Sequence, residues 1–156
     1  MKLIKQSFEI LDQQCGLEGI YKQIEIAGRT CYKSEDKITE DSAKEFVDRM
    51  IKSGHGAVLE QGSVYLKVPN NVVDKGFQFG TNWSTLCSNP YTRYNSDGEY
   101  YYYSTNYRVI IEHDLQGVLN YLREPTDKHE KRVCVRFICD RGVSHEFVRH
   151  KLLCAA

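Results

Sequence analysis

Neither charge is in excess in this chain. Its 156 residues carry 21 lysines plus arginines and 21 aspartates plus glutamates, a formal charge of zero. A non-specific nucleic-acid binder carries a basic surplus, so no nucleic-acid polymer is expected as a partner, and any preference for phosphate has to come from local clusters. No apolar run is long enough to span a membrane. The first residues, Met1-Lys-Leu-Ile-Lys-Gln-Ser-Phe-Glu9, lack the apolar stretch and small-residue cleavage site of a signal peptide. None of Cys15, Cys31, Cys87, Cys134, Cys139 and Cys154 stands in a C-x-x-C pair, which argues against zinc-ribbon and thioredoxin arrangements. With no export signal, free thiols in a reducing cytoplasm are expected, and Cys134 and Cys139 are read as small buried apolar residues. There is no H-E-x-x-H, and His145 and His150 do not share a helix face, so no metal site is expected. No internal repeat, low-complexity linker or second-domain boundary is visible. A single domain of this length can bury roughly 68–70% of its unfolded surface.

What is present reads as an α+β domain. Residues 2–11, with Leu3, Phe8, Ile10 and Leu11, form a first strand. Leu17, Ile20, Ile24 and Ala27 fall at helical spacing and predict a helix over 17–30. Ser42-x-x-Glu45 has the form of a capping box, with Thr39 and Asp41 as alternative caps. Phe46, Val47, Met50 and Ile51 then mark one face of a helix over 41–53, closed by Gly54. Val64, Leu66 and Val68 alternate with polar residues, a half-buried strand ended by Pro69. In the stretch 70–110 the clearest signal is Asn95-Ser-Asp-Gly98, a turn flanked by Tyr91, Tyr94 and Tyr100 to Tyr103. Those tyrosines serve either as amphipathic strand residues or as a stacking platform for a ring. Asp114 is read as the cap of a helix to residue 123, in which Leu115, Val118, Leu119 and Leu122 share a face before Pro125. A charged loop over 124–131 leads to a strand over 132–139. The strands 2–11, 63–68 and 132–139 are expected in one mixed or antiparallel sheet, flanked by the helices.

The end of the chain concentrates acid and base. The strand Arg132-Val-Cys-Val-Arg-Phe-Ile138 is followed by Asp140-Arg-Gly142 and then by Val143-Ser-His-Glu-Phe-Val-Arg-His-Lys151. A strand, a glycine turn and a helix start form a common layout for an anion site, because the first-turn N–H groups are unpaired. Ser144 is the expected N-cap, with Val143 and Val148 as a hydrophobic staple. Phe147 and Val148 are expected to face the core. Glu146, Arg149 and His150 are neighbours on one face. The same spacing also suits an ordinary surface helix in which Glu146 pairs with Arg149 or His150. Earlier in the chain, His55 stands between glycines ahead of Glu60, either as a solvated loop histidine or as one free to approach a ligand.

Taken together, these segments resemble the flavin-dependent thymidylate synthases. Arg149-His-Lys151, preceded by Asp140-Arg-Gly-Val-Ser-His-Glu-Phe-Val148, is similar to the family signature R-H-R followed by seven residues and serine. His55-x-x-x-x-Glu60 ahead of the strand 63–68 resembles the family's histidine-loop-strand segment. Ala27-Gly-Arg-Thr-Cys-Tyr-Lys-Ser34 resembles the end of its N-terminal helix. The likeness covers residues 15–68 and 130–151, in the family's order, with 69–130 read as an insertion. It implies reductive methylation of dUMP to dTMP, with methylenetetrahydrofolate as carbon donor, FAD as hydride carrier and NADPH as reductant. It also implies a homotetramer with flavin sites shared between subunits.

Carried over position by position, the likeness assigns Arg149, His150 and Lys151 to FAD. Glu146, Phe147, Val148 and Arg149 go to dUMP, Ala57 to a flavin-contacting position, and His55 and Glu60 to the lining of the site. The departures are specific. Lys151 replaces an arginine fork with a point charge, Ala57 lacks the hydroxyl common there, and Gln61 stands where the family often has histidine. The chain stops five residues into the seven-residue spacer, so the signature serine and the catalytic residues are expected beyond Ala156, and activity of this form is expected to be very low. A non-catalytic remnant that binds a nucleotide or flavin weakly, or only self-associates, is the alternative, and an unrelated small α+β protein with an anion site is a third.

Overall fold

The computed structural model describes residues 5–73 and 83–149, with only the backbone described for Phe147, Val148 and Arg149. In chain order the elements are β1 (Ser7–Leu11), α1 (Gly16–Tyr32), α2 (Ser42–Lys52), α3 (Gly56–Leu59), β2 (Ser63–Pro69), α4 (Asn70–Val73), α5 (Trp83–Ser88), β3 (Arg93–Ser96), β4 (Tyr100–Asn106), α6 (Tyr107–Glu112), β5 (Cys134–Ile138) and α7 (Arg141–Arg149). Short 3-10 turns lie at Glu35–Lys37 and Gln116–Tyr121.

The two long helices form where the apolar spacing predicts them. Ile20 and Ile24 of α1 and Phe46, Val47 and Met50 of α2 all enter the core. Both helices end in the same closure. At α2 the N–H of His55 reaches the carbonyl of Met50 and that of Gly54 reaches Ile51, with Gly54 at φ 72. At α1 the N–H groups of Ser34 and Lys33 reach Arg29 and Thr30, with Lys33 taking the left-handed position at φ 49. The capping box at Ser42 does not form. Ser42 lies inside the first turn of α2, where its hydroxyl accepts from the N–H of Thr39 and donates to Glu25 of α1 at 2.9 Å.

The strands divide into two antiparallel sheets, which corrects the expectation of one. β2, β4 and β3 form a three-stranded sheet in the order β2-β4-β3, and β1 and β5 form a separate two-stranded ribbon. Alternation shows which face of a strand is buried but not which strand lies beside it. β2 pairs with β4 from Ser63↔Asn106 to Pro69↔Tyr100, so the tyrosine run faces β2. Val64, Leu66 and Val68 bury one face. The turn at Asn95–Gly98 joins β3 to β4 as predicted. Asp97 anchors it by accepting from Lys128, from the N–H of Tyr100 and from the Tyr102 hydroxyl, and these hold its carboxyl well below the usual carboxylate range.

The outer edge of β2 is covered. Leu122 bridges Leu66, and the N–H of Arg123 donates to the carbonyl of Tyr65 at 2.9 Å. The helix predicted over 114–123 is a 3-10 turn over Gln116–Tyr121. Asp114 does not cap it, but closes α6 in the left-handed region at φ 53. The apolar stripe of that segment still packs inward through Leu115 and Val118. The 124–131 loop is not wholly solvated. His129 is buried between Tyr65 and Tyr102, and its Nε2 lies 3.1 Å from the carbonyl of Leu66.

Candidate functional site

The two internal segments of the resemblance meet. The loop after α2 carries His55 into the first turn of α3, and the Tyr32 hydroxyl at the end of α1 lies 2.9 Å from Nδ1 of His55. The two rings stack with centroids 6.4 Å apart. His55 and Ala57 are exposed. Glu60, half-buried, accepts from Nη1 of Arg108 at 2.5 Å, and Arg108 Nε donates to Glu112 one turn further along α6 at 2.6 Å. Arg108 also packs over Gly56, where an added Cβ would lie 3.1 Å from its Nε. One guanidinium thus braces the whole His55–Glu60 loop against α6. The sequence reading did not assign Arg108, although its spacing of four to Glu112 on a helix was a legible signal.

The terminal segment has the predicted strand-turn-helix form, with a different start. α7 begins at Arg141, and the Asp140 carboxylate accepts from the N–H of Val143 at 3.1 Å, so Asp140 and not Ser144 caps it. The Ser144 hydroxyl instead donates to the carbonyl of Arg141. With the start moved back, the arrangement of Val143 and Val148 is not a staple across an N-cap at Ser144. Glu146 is exposed on α7. Phe147, Val148 and Arg149 lie on the described backbone, but their side chains, together with His150 and Lys151, lie outside the described residues, as do Leu152 and Leu153. The expected proximity of His55 and Arg149 falls there too.

A cleft of about 200 Å³ opens between the end of β1, the start of α1 and the 122–134 stretch. Its floor is apolar, with Leu11, Ile20 and Leu122, and four carboxamides line it, Gln13, Gln14, Gln23 and Gln61. Gln13 is fixed by a two-way pairing with the backbone of Ser63, at 2.8 Å each way. Gln23 is 3% exposed and its Nε2 finds no hydrogen-bond partner. The Cys134 thiol donates to Gln61 Oε1 at 3.7 Å.

Two thiols line this cleft. Cys15 is held above its ordinary value by a hydrogen bond with Glu124, and Cys134 is pushed up by burial, partly offset by the Gln23 amide. Both are therefore protonated near neutral pH and are poor nucleophiles. Cys134 and Cys139 are half-buried, not fully buried as expected. The signal for the cleft lay in α1, where Gln23 interrupts the apolar stripe three residues after Ile20.

Among the described residues, no group of three or more His, Cys, Asp or Glu side chains is placed to hold a metal ion, and no helix is long and apolar enough to cross a membrane. Searches against protein-family models, curated proteins and solved structures find no significant match to this chain.

Proposed function

We propose that this chain belongs to a flavin-dependent thymidylate synthase, which methylates dUMP reductively to dTMP with methylenetetrahydrofolate, FAD and NADPH. The observation that carries the proposal is the pairing of Tyr32 with His55. It joins the Ala27–Ser34 segment to the His55–Glu60 segment, the two internal stretches that resemble that family. The β5–α7 layout adds a helix carrying Glu146 and Arg149 after a strand and a tight turn.

The described residues suit a flavin dinucleotide at the His55 loop. His55 is exposed, with one ring nitrogen fixed by Tyr32, and Ala57 leaves space beside it. Arg108 offsets the charge of Glu60, which lowers the repulsion of a polyanion. FAD would be held by Ala57, Arg149, His150 and Lys151, and dUMP by Glu146 through Arg149, with His55 and Glu60 lining the site. When bound, the flavin supplies hydride transfer from NADPH. The chain itself orients the nucleotide and offsets its phosphate charge.

Purified protein mixed with FAD should retain the visible flavin absorbance after gel filtration, and His55→Ala should weaken that retention. Protein that never holds flavin, or an alanine variant that holds it equally well, would remove the reading. dTMP formation from dUMP, methylenetetrahydrofolate, NADPH and FAD then tests the reaction itself.

A second reading, a self-associating module, is favoured by one feature. On the β1–β5 ribbon, Phe8 pairs with Phe137 and Ile10 with Val135 on the same face. Phe8 is 70% exposed and Ile10 55% exposed. Such a strip is what a homo-oligomer would cover. Sedimentation should show concentration-dependent association that Phe8→Glu abolishes. An oligomer lacking flavin would favour this reading, and an oligomer with flavin would join the two.

A further inference from the structure

Trp83, the only tryptophan in the chain, begins a ladder of rings that runs from the core to the surface. Its ring stacks on Tyr103, with centroids 5.9 Å apart and planes 24° from parallel. Tyr103 in turn stacks on Tyr101 at 5.9 Å and meets Tyr94 at 5.7 Å. The strands set this series. Tyr94 of β3 pairs with Tyr103 of β4, and Tyr101 lies two residues along the same face. Trp83 and Tyr103 are buried, Tyr101 is half-buried and Tyr94 is 54% exposed.

Protons decide where an oxidising charge can rest on such a ladder. An indole nitrogen is a donor only, and among the described residues Trp83 Nε1 has no acceptor. A Trp83 that loses an electron therefore keeps its proton and holds a positive charge in the core, which is costly. Tyr103 is a poor resting place too. The hydrogen bond at its hydroxyl is to Cys87 Sγ, at 3.5 Å, and a thiol is a weak proton acceptor. Burial, with that contact, pushes the hydroxyl far above the ordinary tyrosine value. Tyr94, at the wet end, can give its phenolic proton to water.

We propose that the ladder carries an oxidising equivalent from Trp83 across Tyr103 to Tyr94, and so spares the core from small inorganic radicals that act as one-electron oxidants. The oxidant takes one electron from Trp83 and is reduced. Trp83 recovers an electron, across the Tyr103 ring, from Tyr94. Tyr94 releases its proton to water and becomes a neutral phenoxyl radical. A thiol in solution then returns one electron and one proton to Tyr94 and leaves as a thiyl radical. Tyr121 also touches Trp83, at 5.8 Å, but edge-on with planes at 65°. Two stacked faces overlap their π orbitals better than a face and an edge, which favours the branch through Tyr103. The route needs no flavin.

The probe is the azide radical, generated by pulse radiolysis, which takes tryptophan ahead of tyrosine. The visible band of the indolyl radical should decay as the phenoxyl band grows, at a rate independent of protein concentration. Tyr94→Phe, at an exposed position, should slow that growth about tenfold, and Tyr121→Phe should leave it unchanged. Tyr103→Phe, checked for an unchanged near-ultraviolet dichroism spectrum, should slow it by a similar factor. If that variant does not fold, the contrast between Tyr94→Phe and Tyr121→Phe decides alone. Four outcomes would each overturn the proposal: no indolyl band at any dose, indolyl decay without phenoxyl growth, undiminished growth in Tyr94→Phe, or growth slowed as much by Tyr121→Phe. The last would assign the hole to the edge-on branch.

Discussion

The Tyr32 hydroxyl and Nδ1 of His55 lie 2.9 Å apart, with the two rings stacked. The contact ties the last turn of α1 to the loop that leads into α3. Tyr32→Phe keeps the ring and loses only the hydroxyl. Because the pair is exposed, stability should change by less than about 1 kcal/mol. FAD affinity should fall about threefold to tenfold as His55 loses its fixed orientation. Fluorescence titration of FAD into both proteins measures it. Equal dissociation constants would show that Tyr32 does not position His55 for the cofactor.

Glu25 is 1% exposed and accepts two hydrogen bonds from Arg29, at 3.1 and 3.0 Å, and one from Ser42. Arg29 is itself 8% exposed and lies over the Phe46 ring. Glu25→Ala leaves this guanidinium buried without its partner, which should cost about 3–5 kcal/mol. Urea denaturation reads the loss. A loss near zero would mean that Arg29 escapes to water when the carboxylate is removed.

Gly28 lets α1 and α2 approach closely. A Cβ there would lie 2.5 Å from Cζ of Phe46 and 2.7 Å from its Cε1. Gly28→Ala should therefore destabilise by about 1–3 kcal/mol, even though alanine favours a helix. Adding Phe46→Leu should make the alanine much better tolerated than it is alone. A double-mutant cycle over the two positions should show clear coupling, and strict additivity would show that the two do not touch.

His129 titrates with a predictable sign. Burial lowers its pKa below the ordinary value of 6.5, although the Leu66 carbonyl pulls the other way. Its Nδ1 lies 3.0 Å from the N–H of Thr126 and accepts from it, so Nε2 carries the proton toward Leu66. The folded state thus holds the neutral ring. Above 6.5 both folded and unfolded rings are neutral and the contribution is complete. As pH falls below 6.5, the unfolded ring takes up a proton first and stability declines, until the folded pKa is passed. Melting temperature measured from pH 7.5 to about 5 should fall in the unaltered protein, and the fall should be shallower in His129→Gln. Parallel curves would place the pH dependence elsewhere.

Local features were legible where one stretch of chain decides them. The stripes of α1 and α2, the Gly54 closure and the Asn95–Gly98 turn each depend on residues within a few positions, and each formed. What failed depended on partners elsewhere in the chain. Cys134–Ile138 has the same pattern whether it pairs with β2 or with β1. Leu115 and Val118 bury equally well from a 3-10 turn as from an α-helix. Asp140 and Ser144 are both good caps, and the chain uses the earlier one. α6 was missed because it is only six residues long and follows β4 directly, although Asn106, whose side chain accepts from the N–H of Val109, was a visible start signal. Of the candidate site, the pairing of His55 with Tyr32 and the Arg108 brace required the fold, since 23 and 48 positions separate the partners.

The β1–β5 ribbon has a kinetic consequence. Glu9 and Arg136 face each other across it although 127 positions separate them. During synthesis from the N-terminus, β1 waits for the 127 positions between Glu9 and Arg136 to be made before its partner exists. Closing so long a loop is also slow and is rewarded only once the intervening domain has brought the two ends together. The α1–α2 core and the β2–β4–β3 sheet can form in that interval, so the ribbon should gain protection from hydrogen exchange after both of them.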